Sequence, residues 1–307
     1  MLTFFLKIRD TKPSLFGVLI ALFGILVLTP DTLVIRLSEL ERWPLLFWRG
    51  ILMGAVLMLG WRMFFSQNPS FEWRSLFSWQ GLIVIIAFSM NSITFTLGIV
   101  ETSATVVLTA VATMPVFAAA LSFFMLGERQ GWLGWLTILA AMVGIVFVVL
   151  NGEDASGGPK GSAFVGGFFG LLTALALAIV FTIARKYQDL SVFLAAAIGA
   201  FLSGLVGLYM SNFEDIVPNL VWPVLLMGLI ILPISFACLS HAPHFTSSAL
   251  VSLLMLLEMI IGPFWVWLGV GEKPSPKMIC GSAFVALIIG AHILRTQWLS
   301  PQKSEKF

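Results

Sequence analysis

Hydrophobic positions along this chain form long runs, each about the length of one membrane-spanning helix, with short polar linkers between them. A helix needs about 20 apolar residues to cross the hydrocarbon core of a bilayer. The pattern therefore predicts ten spans, at 14–35, 44–63, 76–99, 103–126, 132–151, 162–185, 191–211, 219–240, 246–270 and 277–297. Pro30 interrupts the first run, and Pro223 and Pro233 interrupt the eighth. Prolines are tolerated in a span where neighbouring helices or water satisfy the freed carbonyl groups.

One pattern occurs twice in the chain. Thr-Ser-Ala at 102–104 opens an apolar run that ends with Gly-Glu-Arg at 127–129. Thr-Ser-Ser at 246–248 opens another, which ends with Gly-Glu-Lys at 271–273, so that residue 102 corresponds to 246 and residue 128 to 272. A duplicated membrane unit is typical of secondary transporters, because two pseudo-symmetric halves can rock around a site between them.

The longest clearly polar linker, at 152–161, divides the ten spans into two sets of five. We therefore predict two repeats, 1–153 and 154–307. Since each repeat has an odd number of spans, the second is inverted in the membrane. With a cytoplasmic N-terminus, eleven of the 17 Lys and Arg residues lie on the inner side and five on the outer side, while Arg49 lies within a span. Because positive charges concentrate in cytoplasmic loops, both termini are predicted to be cytoplasmic.

Composition supports the membrane assignment and excludes other classes. Hydrophobic residues make up 59% of the chain and charged residues 10%, against about 25% charged in an ordinary soluble domain. The fold class is therefore an all-α membrane protein. No basic face for nucleic acid is evident, and the three histidines are too scattered to predict a metal site. The chain lacks Gly-x-Ser-x-Gly and His-Glu-x-x-His motifs, so we expect neither an enzyme nor a cofactor.

Several short motifs, taken in order, support a family resemblance. They are Met-Pro-Val-Phe at 114–117, Leu-Gly-Glu-Arg at 126–129, Leu-Glu at 257–258, Gly-Pro at 262–263 and Val-Gly-Glu-Lys at 270–273. Pro44 with Phe-Trp-Arg at 47–49 also fits. On these residues the chain resembles the drug/metabolite transporter superfamily, specifically its ten-span EamA-type members. It departs from them after Glu258, where many members have proline and this chain has Met259.

The resemblance implies a proton- or exchange-driven carrier, or a facilitator, for small organic solutes in the bacterial inner membrane. It also implies a central cavity lined mainly by spans 1, 3, 4, 6, 8 and 9. We expect an exporter or exchanger of small polar metabolites such as amino acids, working by alternating access. The alternatives are a flippase for lipids or lipid precursors, or a passive facilitator or channel. Because a duplicated chain can build a complete two-fold site alone, we expect a monomer.

The charged candidates for this site are Glu258, Arg49 and Asp31. Glu258 lies near the middle of the ninth predicted span, where an unpaired carboxylate costs at least about 2.5 kcal/mol. We expect it to face the cavity and bind an amino group or a proton, or else to bond to a neighbouring helix as a neutral acid. Asp31 and Arg49, near the outer ends of spans one and two, form either an ion pair or two separate interfacial charges. Arg49 is alternatively a site for a substrate carboxylate.

The remaining candidates are uncharged or lie at span ends. Asn91 and Thr94 share one face of the third span and either line the cavity or join helices. Trp265, at the end of the ninth span, belongs either to an interfacial aromatic belt or to a stacking site for the substrate. The Glu-Arg pair at 128–129 and the Glu-Lys pair at 272–273 are either gate salt bridges or structural turns. His241 and His244 are either gating groups or ordinary loop residues.

Overall fold

The structure is a computed structural model, which describes residues 13–65, 69–126, 132–151, 161–187, 189–212, 216, 220–242, 245 and 248–299. Most of these residues are helical. In chain order the α-helices are α1 Pro13–Leu28, α2 Asp31–Ser38, α3 Arg42–Gly60, α4 Pro69–Leu76, α5 Trp79–Glu101, α6 Ala104–Val111, α7 Met114–Leu126, α8 Trp132–Leu150, α9 Ala163–Lys186, α10 Val192–Met210, α11 Val221–Leu225, α12 Leu232–His241, α13 Ser248–Val270 and α14 Pro276–Leu299. Two π-helical turns complete the helices: Trp61–Phe65 continues α3, and Leu226–Ile231 joins α11 to α12.

Within these described residues, seven helical stretches are long and apolar enough to cross a membrane: Leu15–Ser38, Arg42–Phe64, Trp79–Glu101, Ala104–Met125, Ala163–Lys186, Val192–Met210 and Val221–His241. Each lies within three residues of the bounds predicted from the sequence. Leu254–Val270 in α13 and Pro276–Ile288 in α14 are shorter apolar helices, and α8 is a further apolar helix of 19 residues. An all-helical membrane fold is therefore confirmed. The ten-span arrangement as two inverted repeats, 1–153 and 154–307, stays a prediction.

Prolines mark the places where several spans are broken. The first span changes from α1 to α2 at Pro30, which has no amide hydrogen to continue the helical ladder. The fourth is interrupted between Val111 and Met114, and Pro115 lies in the first turn of α7, where no backbone donor is needed. By contrast, α13 continues as one helix through Pro263. The fourth span thus has a break just before Pro115, whereas Pro263 of the ninth span sits inside a helix.

Glycines bring α3 and α10 into close contact. A Cβ atom on Gly50 would collide with the backbone of Gly204, and one on Gly207 would collide with the backbone of Phe47. Small residues allow such close approach of membrane helices, because no side chain separates the backbones. α5 packs against both α9 and α10, and α13 packs against α1, α2 and α6. These contacts surround the centre of the molecule, where the polar residues of the spans meet.

Candidate functional site

A cavity lies at the centre of the helices, and seven spans contribute to its wall. Its empty space, including its opening, amounts to about 500 Å³. Nine of its fifteen lining residues are apolar, and the polar ones are Asp31, Arg49, Asn91, Ser92, Thr173 and Glu258. The second span contributes Arg49 and Met53, in addition to the spans 1, 3, 4, 6, 8 and 9 that the family resemblance implies. This space has room for only a few water molecules, so a larger solute requires the helices to move apart.

Asp31 and Arg49 form a buried, bidentate ion pair in this cavity. Arg49 donates from Nη1 to Asp31 Oδ1 and from Nη2 to Asp31 Oδ2, both at 2.9 Å. The two side chains are 0% and 6% exposed. Each residue lies seven positions inside the end of its span, which at 1.5 Å per residue is roughly 10 Å along the helix. The predicted pair is therefore present, but about two turns deeper than the expected position at the outer ends.

Further contacts hold the guanidinium of Arg49 in place. Its Nη1 also donates to the Sδ atom of Met227 at 3.4 Å, and its centre lies 5.8 Å from the ring centroid of Phe95. Only Nε, which is buried, has no hydrogen-bond partner. Because both terminal nitrogens are engaged by Asp31, Arg49 is not available to a substrate carboxylate in this conformation. Such binding requires displacement of Asp31.

Glu258 lines the same cavity but has no such partner. It is 5% exposed, and no hydrogen bond joins its carboxyl group to another residue in the described part of the chain. The charges of Asp31 and Arg49 both act on it, although those two charges largely cancel. An ionised Glu258 thus places an uncompensated negative charge in the interior, which is unfavourable unless the group is paired or protonated. The site is therefore suited to hold a cationic group or a proton.

Asn91 and Thr94, three residues apart on α5, differ in their surroundings. Asn91 is buried and lines the cavity. Thr94 is also buried, and its hydroxyl oxygen lies 2.7 Å from that of Thr173 on α9. Of the two alternatives that the sequence leaves open, the structure thus assigns cavity lining to Asn91 and an interhelical hydrogen bond to Thr94.

Trp265 lies away from this cavity. Its indole N–H donates to the hydroxyl oxygen of Thr29 at 3.2 Å, and its side chain is 40% exposed. Thr29 lies at the break between α1 and α2. Trp265 therefore contacts the broken first span, and the structure does not bring it to Glu258.

A network that we call the latch is formed by Arg36, Glu272 and the start of α6. Arg36 Nε donates to Glu272 Oε2 at 3.1 Å, and Arg36 Nη2 donates to the carbonyl oxygen of Thr102 at 2.7 Å. The other carboxylate oxygen of Glu272 accepts from the amide of Ala104 at 2.8 Å. Because Glu272 is buried and lies at a helix N-terminus, its charge is favourably placed. The latch joins the first, third and fourth spans to the loop after α13.

A looser set of polar contacts involves Glu101, at the end of the third span. Arg42 Nη1 is 3.8 Å from Glu101 Oε2, and the amide of Ser162 donates to Glu101 Oε1 at 3.3 Å. The side chain of Arg42 is half exposed, so this ion pair contributes little to stability. It nevertheless joins the second and sixth spans to the third span, whose end also takes part in the latch.

Comparisons with known proteins identify the family to which this chain belongs. The sequence profile of the EamA-like transporter family matches residues 32–150 and 164–294. The chain belongs to the EamA-like transporter family. An uncharacterized transporter from Clostridium kluyveri is 23% identical over 219 residues, which covers 69% of each chain. A known crystal structure superposes with a TM-score of 0.66 and 15% identity, covering 94% of this chain and 100% of the other, and shows that the fold is shared.

This EamA-family protein is a membrane transporter, and the resemblance inferred from its short motifs is confirmed. Among the residues that the structure describes, no group of three His, Cys, Asp or Glu side chains is arranged to hold a metal ion. His241 lies at the end of α12, and its ring centroid is 5.6 Å from that of Phe245. His244 and the Glu-Arg pair at 128–129 lie outside the described residues.

Three residues of the transporter's site did not follow from the sequence. Thr173 and Met227 contact Thr94 and Arg49 respectively, and Arg36 binds Glu272. Thr173 carries a detectable signal, because it is a lone hydroxyl near the middle of an apolar run. Met227 carries none, since a methionine in a span is ordinary packing material.

Proposed function

We propose that this transporter works by alternating access and binds a small organic solute through a positively charged amino group at Glu258. Amino acids are the first candidates. The observation that carries the proposal is the carboxyl group of Glu258, which has no hydrogen bond to another described residue. It lies in a cavity where the other two charged side chains neutralise each other. A cationic group in the cavity removes the uncompensated charge, and the amide of Asn91 is placed to orient the solute. Apolar lining residues accommodate the rest of it.

Glu258 also provides a site for a proton. A carboxyl group that holds either a proton or an amino group, but not both, makes the two ligands compete. When each ligand is released on the opposite side, this competition exchanges protons for solute. Export or exchange driven by a proton gradient follows from such coupling.

The latch supports alternating access, because it closes one end of the molecule around the narrow cavity. An ion pair buried at Arg36 and Glu272 holds the ends of several spans together and must open for solute to pass there. The breaks at Pro30 and beside Pro115 are in the two spans that carry Asp31 and Val111 of the cavity wall. We therefore place the moving segments in these broken spans.

The repeat of the sequence supports the complete architecture. We further propose ten spans in two inverted repeats, with both termini in the cytoplasm of a bacterium and the chain in its inner membrane as a monomer. The cavity has wall residues from both segments matched by the family profile. Two inverted halves around one site are the usual basis of alternating access.

The experiment that tests this function is counterflow into proteoliposomes with a panel of labelled amino acids and simple amines, with and without a pH gradient. We compare the native protein with Glu258→Gln, which keeps the shape of the side chain and removes its charge and proton. We expect saturable counterflow of at least one panel member, and a loss of ten-fold or more in Glu258→Gln together with its response to pH.

Glu39→Gln is the matched control, because Glu39 is exposed and distant from the cavity lining. It should transport like the native protein. Transport by Glu258→Gln at the native rate, still driven by the pH gradient, would contradict the proposed role of the carboxyl group. Uptake without counterflow would indicate a channel, counterflow that does not respond to the pH gradient would indicate a passive facilitator, and movement of lipid alone would indicate a flippase.

A further inference from the structure

The central cavity continues beyond Glu258. A second, smaller space of about 270 Å³ lies between α13 and the broken fourth span. Glu258 and Val111 line both spaces. The wall of the second space includes Pro115 and the break before it. Glu258 therefore lies in the wall between the two spaces.

A third space reaches the surface of the molecule. It is a groove of about 1500 Å³ between α13 and α14, in which only Thr105 and Ser282 are polar. Leu256 and Met259 line both this groove and the second space. Ile260 is 60% exposed and Leu287 is 73% exposed along the groove, as expected for apolar side chains that face lipid. The three spaces thus mark a path from the lipid-facing surface to Glu258 that is interrupted by the wall residues they share.

Met259 and Leu256 are the barrier along this path. Both are buried, and they pack in one cluster with Ala110, Ala112 and Val285. Methionine is a flexible residue that repacks easily, and two of its neighbours here are alanines. The barrier therefore consists of side chains that move without unfolding a helix.

The backbone on each side of the barrier, in α13 and in the broken fourth span, lacks part of its helical hydrogen bonding. Pro263 lies four residues after Met259 and has no amide hydrogen, so the carbonyl of Met259 lacks its usual helical partner. The facing wall is the break between α6 and α7. A gap between these helices can therefore widen at lower cost than one between two intact helices.

We propose that this gap is a lateral entrance, through which an amphipathic organic cation passes from the bilayer to Glu258. The apolar body of such a solute lies in the groove between α13 and α14, and its amine or quaternary ammonium group reaches the carboxyl group past Met259. The inference rests on the proposed function and deepens it, since it names the solute class as amines with an apolar body. A fully hydrophilic solute does not partition into the groove.

The test uses two carbodiimides that react with carboxyl groups and differ in solubility. The full-length protein in proteoliposomes is treated with lipid-soluble dicyclohexylcarbodiimide or with a water-soluble carbodiimide, and the adduct on Glu258 is quantified by mass spectrometry. We expect the lipid-soluble reagent to label Glu258 at least ten-fold faster. Tetraphenylphosphonium, a cation with an apolar body, should slow this labelling, whereas tetramethylammonium at the same concentration should not.

Variants of the barrier test the route itself. Met259→Trp should slow labelling by the lipid-soluble reagent at least ten-fold, and Met259→Ala should accelerate it. Leu268→Trp is the matched control, because Leu268 is an exposed residue of the same helix that does not line the groove. It should label like the native protein. The comparison of the two reagents on native protein stands even where a variant fails to fold.

Equal labelling by the two reagents, or unchanged labelling of a folded Met259→Trp variant, would overturn the lateral entrance. Neither result affects the proposed function, which depends on counterflow and on Glu258→Gln. Conversely, lipid-dependent labelling that Met259→Trp slows would establish the entrance even if no panel amino acid were transported. Protection by both cations alike would overturn the assignment of an apolar body to the solute.

Discussion

The three charged residues of the cavity are not equivalent. Asp31 and Arg49 satisfy each other through two hydrogen bonds, whereas Glu258 has no hydrogen bond to another described residue. Removing one member of a buried ion pair leaves the other charge buried without a partner. The resulting loss of folding free energy is larger than the net stability that the intact pair contributes. We therefore infer that the pair maintains the fold around the cavity, and Glu258 is the member that we propose binds a ligand.

We expect Asp31→Ala to lower the free energy of unfolding by about 3 to 5 kcal/mol, because Arg49 becomes an unpaired buried cation. The double variant Asp31→Ala/Arg49→Met should be more stable than Asp31→Ala alone, since both charges are gone. Thermal melting in detergent, followed by size-exclusion chromatography, measures this order. A double variant less stable than the single one would contradict a structural role for the pair.

At the scale of helices, close backbone contacts and broken spans have different roles. Gly50 and Gly204 let α3 and α10 meet without intervening side chains, which makes this pair of helices a rigid unit. The first and fourth spans are interrupted beside the cavity and supply Asp31 and Val111 to its wall. Rigid helices on one side and broken ones on the other favour motion of the broken spans.

Gly50→Ala should lower the free energy of unfolding by about 1 to 3 kcal/mol, because the added methyl group forces α3 and α10 apart. Gly60→Ala on the same helix is the control. Its added Cβ atom meets nothing nearer than Phe193 Cζ at 3.7 Å, so its melting temperature should stay within about a degree or two of the native value or rise. Equal melting temperatures for the two variants would mean that the helices do not pack this closely.

On the scale of the whole molecule, the latch connects parts of the chain that are far apart in sequence. Arg36 and Glu272 are separated by 236 residues, and Glu272 also holds the start of α6 through Ala104. The latch therefore joins the first, third and fourth spans to the loop after α13. Under the proposed function, its opening exposes the cavity at that end of the molecule.

Glu272→Gln should therefore make the cavity more accessible from the latch side, because the amide cannot form the ion pair with Arg36. The measurement is the rate at which a membrane-impermeant thiol reagent labels Ser92→Cys, with Cys238 and Cys280 replaced by Ser. We expect an increase of about three- to ten-fold, corresponding to about 1 kcal/mol, and no change in Glu39→Gln. An unchanged rate in Glu272→Gln would show that the latch does not control access.

The predicted inversion of the second repeat determines how the whole chain is oriented in the membrane. With both termini in the cytoplasm, the linker at 152–161 lies on the outer side. Alkaline phosphatase inserted after Gly157 should be active, because it folds only outside the cytoplasm. Green fluorescent protein fused after Phe307 should fluoresce in the cytoplasm. The opposite pair of results would reverse the orientation.

The sequence by itself determined seven of the spans, the family and the identity of the buried acid. The length of an apolar run decides whether it crosses a bilayer, and this property is local to each segment. The seven long spans therefore match their predictions closely, and the short motifs led to the correct family. The buried position of Glu258 followed from the same reasoning. The repeat boundary at 153, the orientation, the monomer and the solute remain predictions, because each depends on the membrane or on a ligand.

Only the tertiary structure decided which side chains meet. Whether Asn91 or Thr94 faces the cavity depends on the rotation of α5 against α9, and an apolar run carries little information about rotation. The partner of Arg49 and the pairing of Arg36 with Glu272 depend on how distant helices are packed. Trp265, expected either in an interfacial aromatic belt or at a stacking site, donates a hydrogen bond to Thr29. Such contacts join residues from different helices, so they arise from the packing of all the spans together and not from the pattern of any single one.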